Sequence, residues 1–424
     1  MRVSLLTIGE PLPMDGHNIR LHRAGMFAEF LASKGHQVVW WSSTFDHVNK
    51  KNRFARDTTI NVSDRYRIRL LHSVAYKKNV SLRRILNHRG VAGKFARLAE
   101  TEPPPDIILS SLPTLELCLS AAKYGREKKV PVILDVRDLW PDIFLDLVPL
   151  PLRKAARVAL FPMFETLKAA CAGATAITGL TPGFVDWGVK HANRRRTSLD
   201  RDFPMGYSDA APGAAAVREA ENFWAAKGLP GGSDKKFIAC FFGTLGRQFD
   251  LETIIEAAKK LSGRERPFHF VLCGSGDNFD YYRKLAGGCD NITFPGWVNA
   301  EQIWVLMRMS AVGLAPYLST RNFTINLPNK PVEYLSAGLP VVSSLSGVLE
   351  ELLCSSNCGV TYPNHSPDAL AAALIDLYDD PGWLGEMSKN AHALYLEKFV
   401  AGKVYTDIMD HLELVCESYR NEHA

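Results

Sequence analysis

Arg2-Val-Ser-Leu-Leu-Thr-Ile8, a loop holding Gly9, Pro11, Pro13 and Gly16, a run from Arg20 to Lys34, and then Gln37-Val-Val-Trp-Trp41 together decide the fold. The two outer runs are short, continuous and apolar, as strands covered on both faces are. Between them Ala24, Phe27, Phe30 and Leu31 recur at helical spacing, and Gly35 supplies a stop. Strand, loop, helix, strand is the unit of a parallel α/β sheet, because a parallel partner needs a crossover long enough to hold a helix.

Working outward, the unit repeats. Asp106-Ile-Ile-Leu-Ser reads as a strand, Leu115 to Lys128 as a helix and Val130-Pro-Val-Ile-Leu-Asp-Val as a strand ending at Arg137-Asp138. A partly apolar helical stretch from Leu152 to Ala172 precedes a short strand at Ala174-Thr-Ala-Ile-Thr. Small residues near Asp209 to Ala216 then mark a boundary. A second series follows it: strands at Lys236–Phe242, Phe268–Cys273, Ile292–Phe294, Ala311–Ala315 and Pro340–Ser343, with helices at Asp250–Lys260, Ala300–Met309 and Lys330–Ser336. The reading is α/β: two Rossmann-like domains facing across a cleft, 1–205 on the acceptor side and 206–400 on the nucleotide side. Residues 401–424 form a last helix that could brace the two, and the segments after Pro367 read as surface helices. Ligands of open α/β sheets bind at the strands' C-terminal ends, which directs attention to the loops there.

Composition narrows the class. With 424 residues, 46% hydrophobic and 22% charged, the chain suits two packed cores and not a disordered one. The opening apolar run, Val3–Ile8, is ended by Gly9, Glu10 and Pro11; a membrane span needs about 20 apolar residues, and a signal peptide a basic start and a longer core. Eight scattered cysteines with no Cys-x-x-Cys pair read as reduced thiols in a cytoplasmic protein. No P-loop pattern occurs.

Charge is divided unevenly. Residues 1–205 hold 32 Lys and Arg against 19 Asp and Glu, a net +13; the remainder holds 18 against 26, a net −8. The excess is densest from Lys50 to Arg97, where only Asp57 and Asp64 oppose it. That face is either simply solvated or meets an anionic partner, a membrane surface or a phosphate-bearing acceptor. Nucleic acid is not expected, since no zinc-finger or RNP-type pattern accompanies the charge. Arg153, Lys154 and Arg157 beside Leu160, Phe161, Met163 and Phe164 suit an interfacial helix or an ordinary core helix equally, and Pro162 interrupts it.

The most specific stretch is Asn326-Leu-Pro-Asn-Lys-Pro-Val-Glu-Tyr-Leu-Ser-Ala-Gly-Leu-Pro-Val-Val342. Around it stand Phe242-Gly243-Thr-Leu-Gly-Arg247, Asp250-Leu-Glu-Thr-Ile-Ile-Glu-Ala-Ala, Gly274-Ser-Gly276-Asp, Phe294-Pro-Gly296-Trp297-Val298 and Gly313-Leu-Ala-Pro316-Tyr. Gly35-His-Gln-Val, Asp135-Val-Arg-Asp-Leu-Trp-Pro-Asp142 and Pro204-Met-Gly206 lie in the first half. In this order the motifs resemble those of the family 4 glycosyltransferases of the GT-B fold, most closely a subgroup that builds bacterial surface polysaccharides. The resemblance implies transfer of a sugar from a nucleotide-diphosphate donor, UDP or GDP type, with retained configuration and no cofactor or bound metal. It also implies a glycan or lipid-linked acceptor at the cytoplasmic membrane face.

The residue chemistry supports those roles in its own right. A departing diphosphate needs cations or backbone N–H groups; Arg247 and Lys330 supply the first, and Gly243 lets backbone come close. Glu333, one helical turn after Lys330, can accept both ribose hydroxyls. The resemblance puts the nucleobase at the turn of Trp297 and Val298, and Gly16 of the first loop against the phosphates, with His17 and Arg20 near donor or acceptor. Asp138, at a strand end, is the candidate to orient or deprotonate the acceptor hydroxyl. Plain alternatives stand beside these: a solvated Arg247, a surface Lys330–Glu333 pair, a core Trp297, and an Arg137–Asp138 pair that only braces its loop.

Three departures from the family pattern are visible. Eight residues before Glu333, where a second glutamate is common, stands Ile325, with Asn326 the nearest polar residue; Thr244 replaces a common arginine; and Ser110-Ser111 ends a strand where many members carry histidine. Two other readings are a nucleotide-sugar epimerase of the same architecture and a non-catalytic nucleotide- or sugar-binding module.

Overall fold

The structure, a computed structural model, describes residues 1–16, 20–146, 148–208, 210–229, 236–263 and 267–423. Its strands, in chain order, are β1 (Arg2–Leu6), β2 (Gln37–Ser43), β3 (Phe45–Asp46), β4 (Lys51–Asn52), β5 (Thr58–Ser63), β6 (Tyr66–Leu71), β7 (Ile107–Ser111) and β8 (Val132–Val136). They continue as β9 (Ala176–Gly179), β10 (Arg201–Asp202), β11 (Phe237–Phe242), β12 (Phe268–Cys273), β13 (Ile292–Gly296), β14 (Val312–Ala315), β15 (Val341–Ser343) and β16 (Gly359–Thr361). The chain divides into two compact units, Met1–Pro204 with Val404–Ala424, and Met205–Lys403.

The first unit holds an eight-stranded sheet in the order β10-β9-β8-β7-β1-β2-β6-β5. Every pairing is parallel except β5 with β6, an edge hairpin in the basic region that alternating Tyr66, Ile68 and Leu70 bury on one face. The helix Leu82–Ala99, capped by Ser81, also falls in that region; Arg83, Arg89 and Arg97 face out while Val91, Ala92 and Phe95 face in, with Arg84 half-buried. The stretch from Leu152 is two helices, Arg153–Ala159 and Phe161–Ala172, broken at Leu160 just before Pro162, which the first turn of the second helix tolerates. The last helix, Ala401–His423, packs Tyr405 against Phe27 and Phe30 and lays His411 near Phe203.

The second unit holds a six-stranded, wholly parallel sheet in the order β13-β12-β11-β14-β15-β16. Counted from its first strand this is 3-2-1-4-5-6, the doubly wound Rossmann order. The strands are saturated with apolar side chains, and β11, Phe-Ile-Ala-Cys-Phe-Phe, is buried throughout. The helices after Pro367 are less superficial than the sequence suggests, because Leu370, Leu374, Leu377 and Tyr395 are fully buried in this unit's core. All eight cysteines are unpaired, six of them buried. Among the described residues no helix is long and apolar enough to cross a membrane.

Candidate functional site

In the second unit the strand order reverses between β11 and β14, which opens a crevice beyond their C-terminal ends. Gly243 follows β11 there, with φ +152°, a conformation that excludes most side chains. A Cβ at this position would fall 2.4 Å from Cε and 2.7 Å from Nζ of Lys330. The bare glycine is thus the space into which the lysine reaches. Next to it Gly274 follows β12, where a Cβ would fall 1.8 Å from the Gly243 carbonyl oxygen. Two loops therefore meet backbone to backbone at this edge.

Lys330 stands in the first turn of the helix Asn329–Ser336, so its ammonium adds to that helix's positive end. Its Nζ lies 4.7 Å from the centre of the Phe249 ring, 5.7 Å from Phe241 and 5.9 Å from Tyr317. Aromatic faces hold a cation by their negative quadrupole without neutralising it. Tyr334 anchors the helix below: its hydroxyl donates to the Leu314 carbonyl at 3.0 Å, and Gly313 leaves room for the ring. One turn after Lys330, Glu333 is only 4% exposed. Burial, with the Glu333 charge adding, pushes the Tyr317 phenol up.

Asn326, three residues before that helix, carries a buried Oδ1 with no hydrogen-bond partner among the described residues. Such an oxygen costs stability unless something donates to it. Trp297 is 72% exposed, which excludes the core alternative, whereas Val298 beside it is buried. The turn they follow is tied to the glycine edge by Gly274 N–H donating to the Gly296 carbonyl at 2.7 Å. Arg247 is exposed and lines an open pocket with Phe249, Asp250, Glu252, Asn278 and Tyr281, so Phe249 is common to both cations.

In the first unit the order reverses between β1 and β7. There Thr7 donates through its hydroxyl to the Ser111 hydroxyl at 3.1 Å. Arg137 pairs with Asp135 and with Glu10, each at 2.6 Å, and Arg23 lies 3.8 Å from Asp135. Burial alone would raise the Asp135 carboxyl, but Arg137 and Arg23 hold it below the usual range. Arg137 is therefore a brace, with Asp135 and Glu10 as partners instead of Asp138.

Asp138 is left without an ion pair to Arg137 and is half-buried after β8. Burial pushes its carboxyl up to about 6, against the opposing pull of the Leu139 N–H, which donates at 3.1 Å, and of the Arg84 charge. A carboxyl poised there can hold or release a proton near neutral pH. Gly16 is exposed, with nothing among the described residues within 4 Å of the place a Cβ would take. Arg20 is exposed, and His17 lies outside the described residues. Among the described residues no group of three or more His, Cys, Asp and Glu could hold a metal ion.

The sequence reading missed two groups. One is the aromatic seat of Lys330, supplied by residues on three segments. The other surrounds Asp138: the Arg84 guanidinium lies 4.4 Å over the Trp140 ring and 5.8 Å over Tyr76, whose hydroxyl bonds His47 Nδ1 at 2.7 Å. The dense basic run from Lys50 was its only advance signal. A cavity of about 580 Å³ between Arg2, Gln37, Asn61 and Arg67 opens at the opposite, N-terminal edge of the same sheet, away from these groups.

Residues 226–393 match a protein family described as glycosyl transferases group 1. Over 169 residues the chain is 29% identical to an uncharacterized glycosyltransferase of Methanocaldococcus jannaschii, covering 39% of this chain and 42% of that protein. Over 147 residues it is 29% identical to the phosphatidyl-myo-inositol mannosyltransferase of Mycolicibacterium smegmatis, covering 34% and 37%. The matched part thus spans about two-fifths of the length of these curated relatives. Among solved structures, Anabaena HepE in complex with UDP resembles the chain with a TM-score of 0.64 at 15% identity, over 97% of this chain and 100% of that one. At that identity the likeness shows the fold alone, the GT-B type built of two Rossmann-like domains. Over residues 226–393, then, the chain is similar to the glycosyl transferases group 1 family, and over nearly its whole length it shares the GT-B fold.

Proposed function

We propose that the protein is a glycosyltransferase that moves a hexosyl or N-acetylhexosaminyl group from a nucleoside-diphosphate sugar, of UDP or GDP type, to a glycan or lipid-linked acceptor. The observation that carries this reading is the Lys330 ammonium seated in the space of Gly243 at the sheet reversal of the second unit. A cation held on aromatic faces beside bare backbone suits a leaving diphosphate, whose negative charge grows as the glycosidic bond breaks. In this reading Lys330 and Arg247 take the place of a metal ion. Glu333 accepts the ribose hydroxyls, Trp297 and Val298 border the base, and the Asn326 Oδ1 accepts a hydroxyl of the donor sugar. Gly16, in the first unit, is a further candidate to let a phosphate approach bare backbone.

The family match over 226–393 supports the transfer chemistry, and the UDP complex of HepE supports a uridine nucleotide. Asp138 orients the acceptor hydroxyl or takes its proton as the new bond forms, with the anomeric configuration retained. Surface-polysaccharide or glycolipid assembly, at the inner face of a membrane met by the basic first unit, is the accompanying biological reading. The test is release of nucleoside diphosphate from UDP- and GDP-sugars, with and without glycan and glycolipid acceptors, in the presence of EDTA. Acceptor-dependent release supports the proposal; turnover of the sugar nucleotide without release points to an epimerase, and binding without turnover to a binding module. Flotation with anionic and neutral liposomes tests the membrane reading, which no association at low salt would remove.

A further inference from the structure

The first unit contains a second gathering of positive charge, away from the Arg137 brace. Lys50 Nζ lies 5.4 Å from the centre of the Tyr76 ring, and the Arg84 guanidinium lies 5.8 Å from the same ring. The guanidinium is also 4.4 Å over Trp140, so two aromatic rings fix its orientation. One segment links the cations: Lys50 Nζ donates to Asn79 Oδ1 at 2.5 Å, and Arg84 Nη1 donates to the Asn79 carbonyl at 2.9 Å. Arg84 Nε points at His88 Nε2, 3.4 Å away, while Nη2 has no hydrogen-bond partner among the described residues.

Among the described residues no carboxylate forms an ion pair with Lys50 or Arg84, although Asp46 pulls on the first and Asp138 on the second through space. Asp46 is taken by Asn49, Val48 and Arg53, and Glu116 lies within ion-pair reach of Arg89 and His88. Asp138 makes no ion pair with Arg84 among the described residues. The two imidazoles packed here register the local field. Burial, reinforced by Lys50 and Arg84, lowers His47 to about 4; burial, reinforced by Arg84 and His47, lowers His88 to about 3. Two cations gathered on one ring, with no carboxylate in ion-pair contact among the described residues, favour an anion that joins them both. The neighbouring surface is amphiphilic, with Lys77, Lys78 and Arg83 exposed beside Val80 (66% exposed), Leu82 (80%) and Leu86 (54%).

We propose that Lys50 and Arg84 bind a phosphate ester carried by the acceptor, holding the acceptor beside Asp138. The naming of the ligand as acceptor rests on the glycosyltransferase reading; the phosphate site itself does not. Arg84 presents its Nη2 edge and Lys50 its remaining ammonium hydrogens, with Tyr76 against both cations and Trp140 against Arg84. A phosphate on a lipid and a phosphate on a sugar share this chemistry, and the exposed Val80 and Leu82 favour the first.

The test is calorimetric titration of octyl phosphate, glucose 6-phosphate and octyl glucoside into the full chain, with UDP saturating the second unit. Parent, Arg84→Gln and Lys50→Gln are compared, with thermal unfolding as a check that each variant is folded. The proposal expects octyl phosphate to bind at least about tenfold more tightly than octyl glucoside, with each variant losing about tenfold or more of that affinity and none of its affinity for UDP. Glucose 6-phosphate binding as tightly as octyl phosphate would support the site with a sugar phosphate as its source. Equal binding of octyl phosphate and octyl glucoside, or phosphate affinity unchanged in both folded variants, overturns it. Failure of the parent to bind UDP would count against the donor site of the second unit and leave these comparisons valid.

Discussion

Replacing Asp138 by Asn separates the cost of a poised carboxyl from its use. Burial raises this carboxyl from the ordinary 3.8 to about 6. At about 1.36 kcal/mol per pH unit, the fold is penalised by about 3 kcal/mol once Asp138 is ionised. The sign follows from proton uptake: between the unfolded and folded values the native state binds more protons than the unfolded chain, so this group costs stability as pH rises. The cost is absent below about pH 3.5, about half present near pH 5 and complete above about pH 7. Asn keeps an oxygen for the Leu139 N–H but cannot ionise, so the variant escapes the penalty. Thermal unfolding followed at about pH 5 and pH 8 should therefore show the Asn variant gaining on the parent as pH rises, by up to several degrees for a unit of this size. In the same variant acceptor-dependent transfer should fall by about 100-fold or more, with UDP affinity retained. A difference in melting temperature that does not change with pH, or an Asn variant as active as the parent, would refute the argument.

Lys330→Ala should weaken UDP binding by about 10- to 100-fold, the worth of one charge-assisted hydrogen bond, and Glu333→Ala by a similar factor; equilibrium titration checks both. Gly243→Ala should act through the lysine: the added Cβ would stand 2.4 Å from Lys330 Cε, so the flexible side chain must leave its aromatic seat. UDP affinity should then fall towards that of Lys330→Ala, and the double variant should be no weaker than Lys330→Ala alone. Asn326→Leu removes a buried oxygen that has no partner among the described residues, so the melting temperature should hold or rise while selectivity among UDP-sugars declines, read by competition between UDP-glucose and UDP-galactose.

Local chemistry made much of this fold legible. The helix Ala300–Met309 follows directly from its apolar spacing and from Asn299 and Gln302, which form a reciprocal capping box. Five of the second unit's six strands are apolar runs that stand close to where the pattern puts them, while β16, three residues long and begun by Gly359, left no pattern to read. Sheet order was not legible in that way, because runs as alike as β11, β12 and β14 do not encode which neighbours which. The β5–β6 hairpin and the helix Leu82–Ala99 were hidden by the charge of the region, since their buried faces are narrow and interleaved with Lys and Arg.

The site divides along the same line. Lys330 and Glu333 share one helix, so their relation is fixed by spacing. That Gly243 makes room for Lys330 links positions far apart in the chain, and no local pattern reports it. Arg137 and Asp138 were adjacent in sequence and hence natural partners on paper. The strand's alternation sends Arg137 to Asp135 and Glu10 instead and leaves Asp138 for other work. Lys50, Tyr76, Arg84 and Trp140 come from four segments that only the folded sheet assembles.

A crystal of the full chain soaked with UDP in the presence of EDTA tests the donor assignment most directly. The account predicts the diphosphate within hydrogen-bond reach of Lys330 Nζ, against the backbone at Gly243, with the ribose on Glu333. Density for the nucleotide at any other edge of either sheet, or diphosphate bound only when a divalent ion is restored, would contradict it.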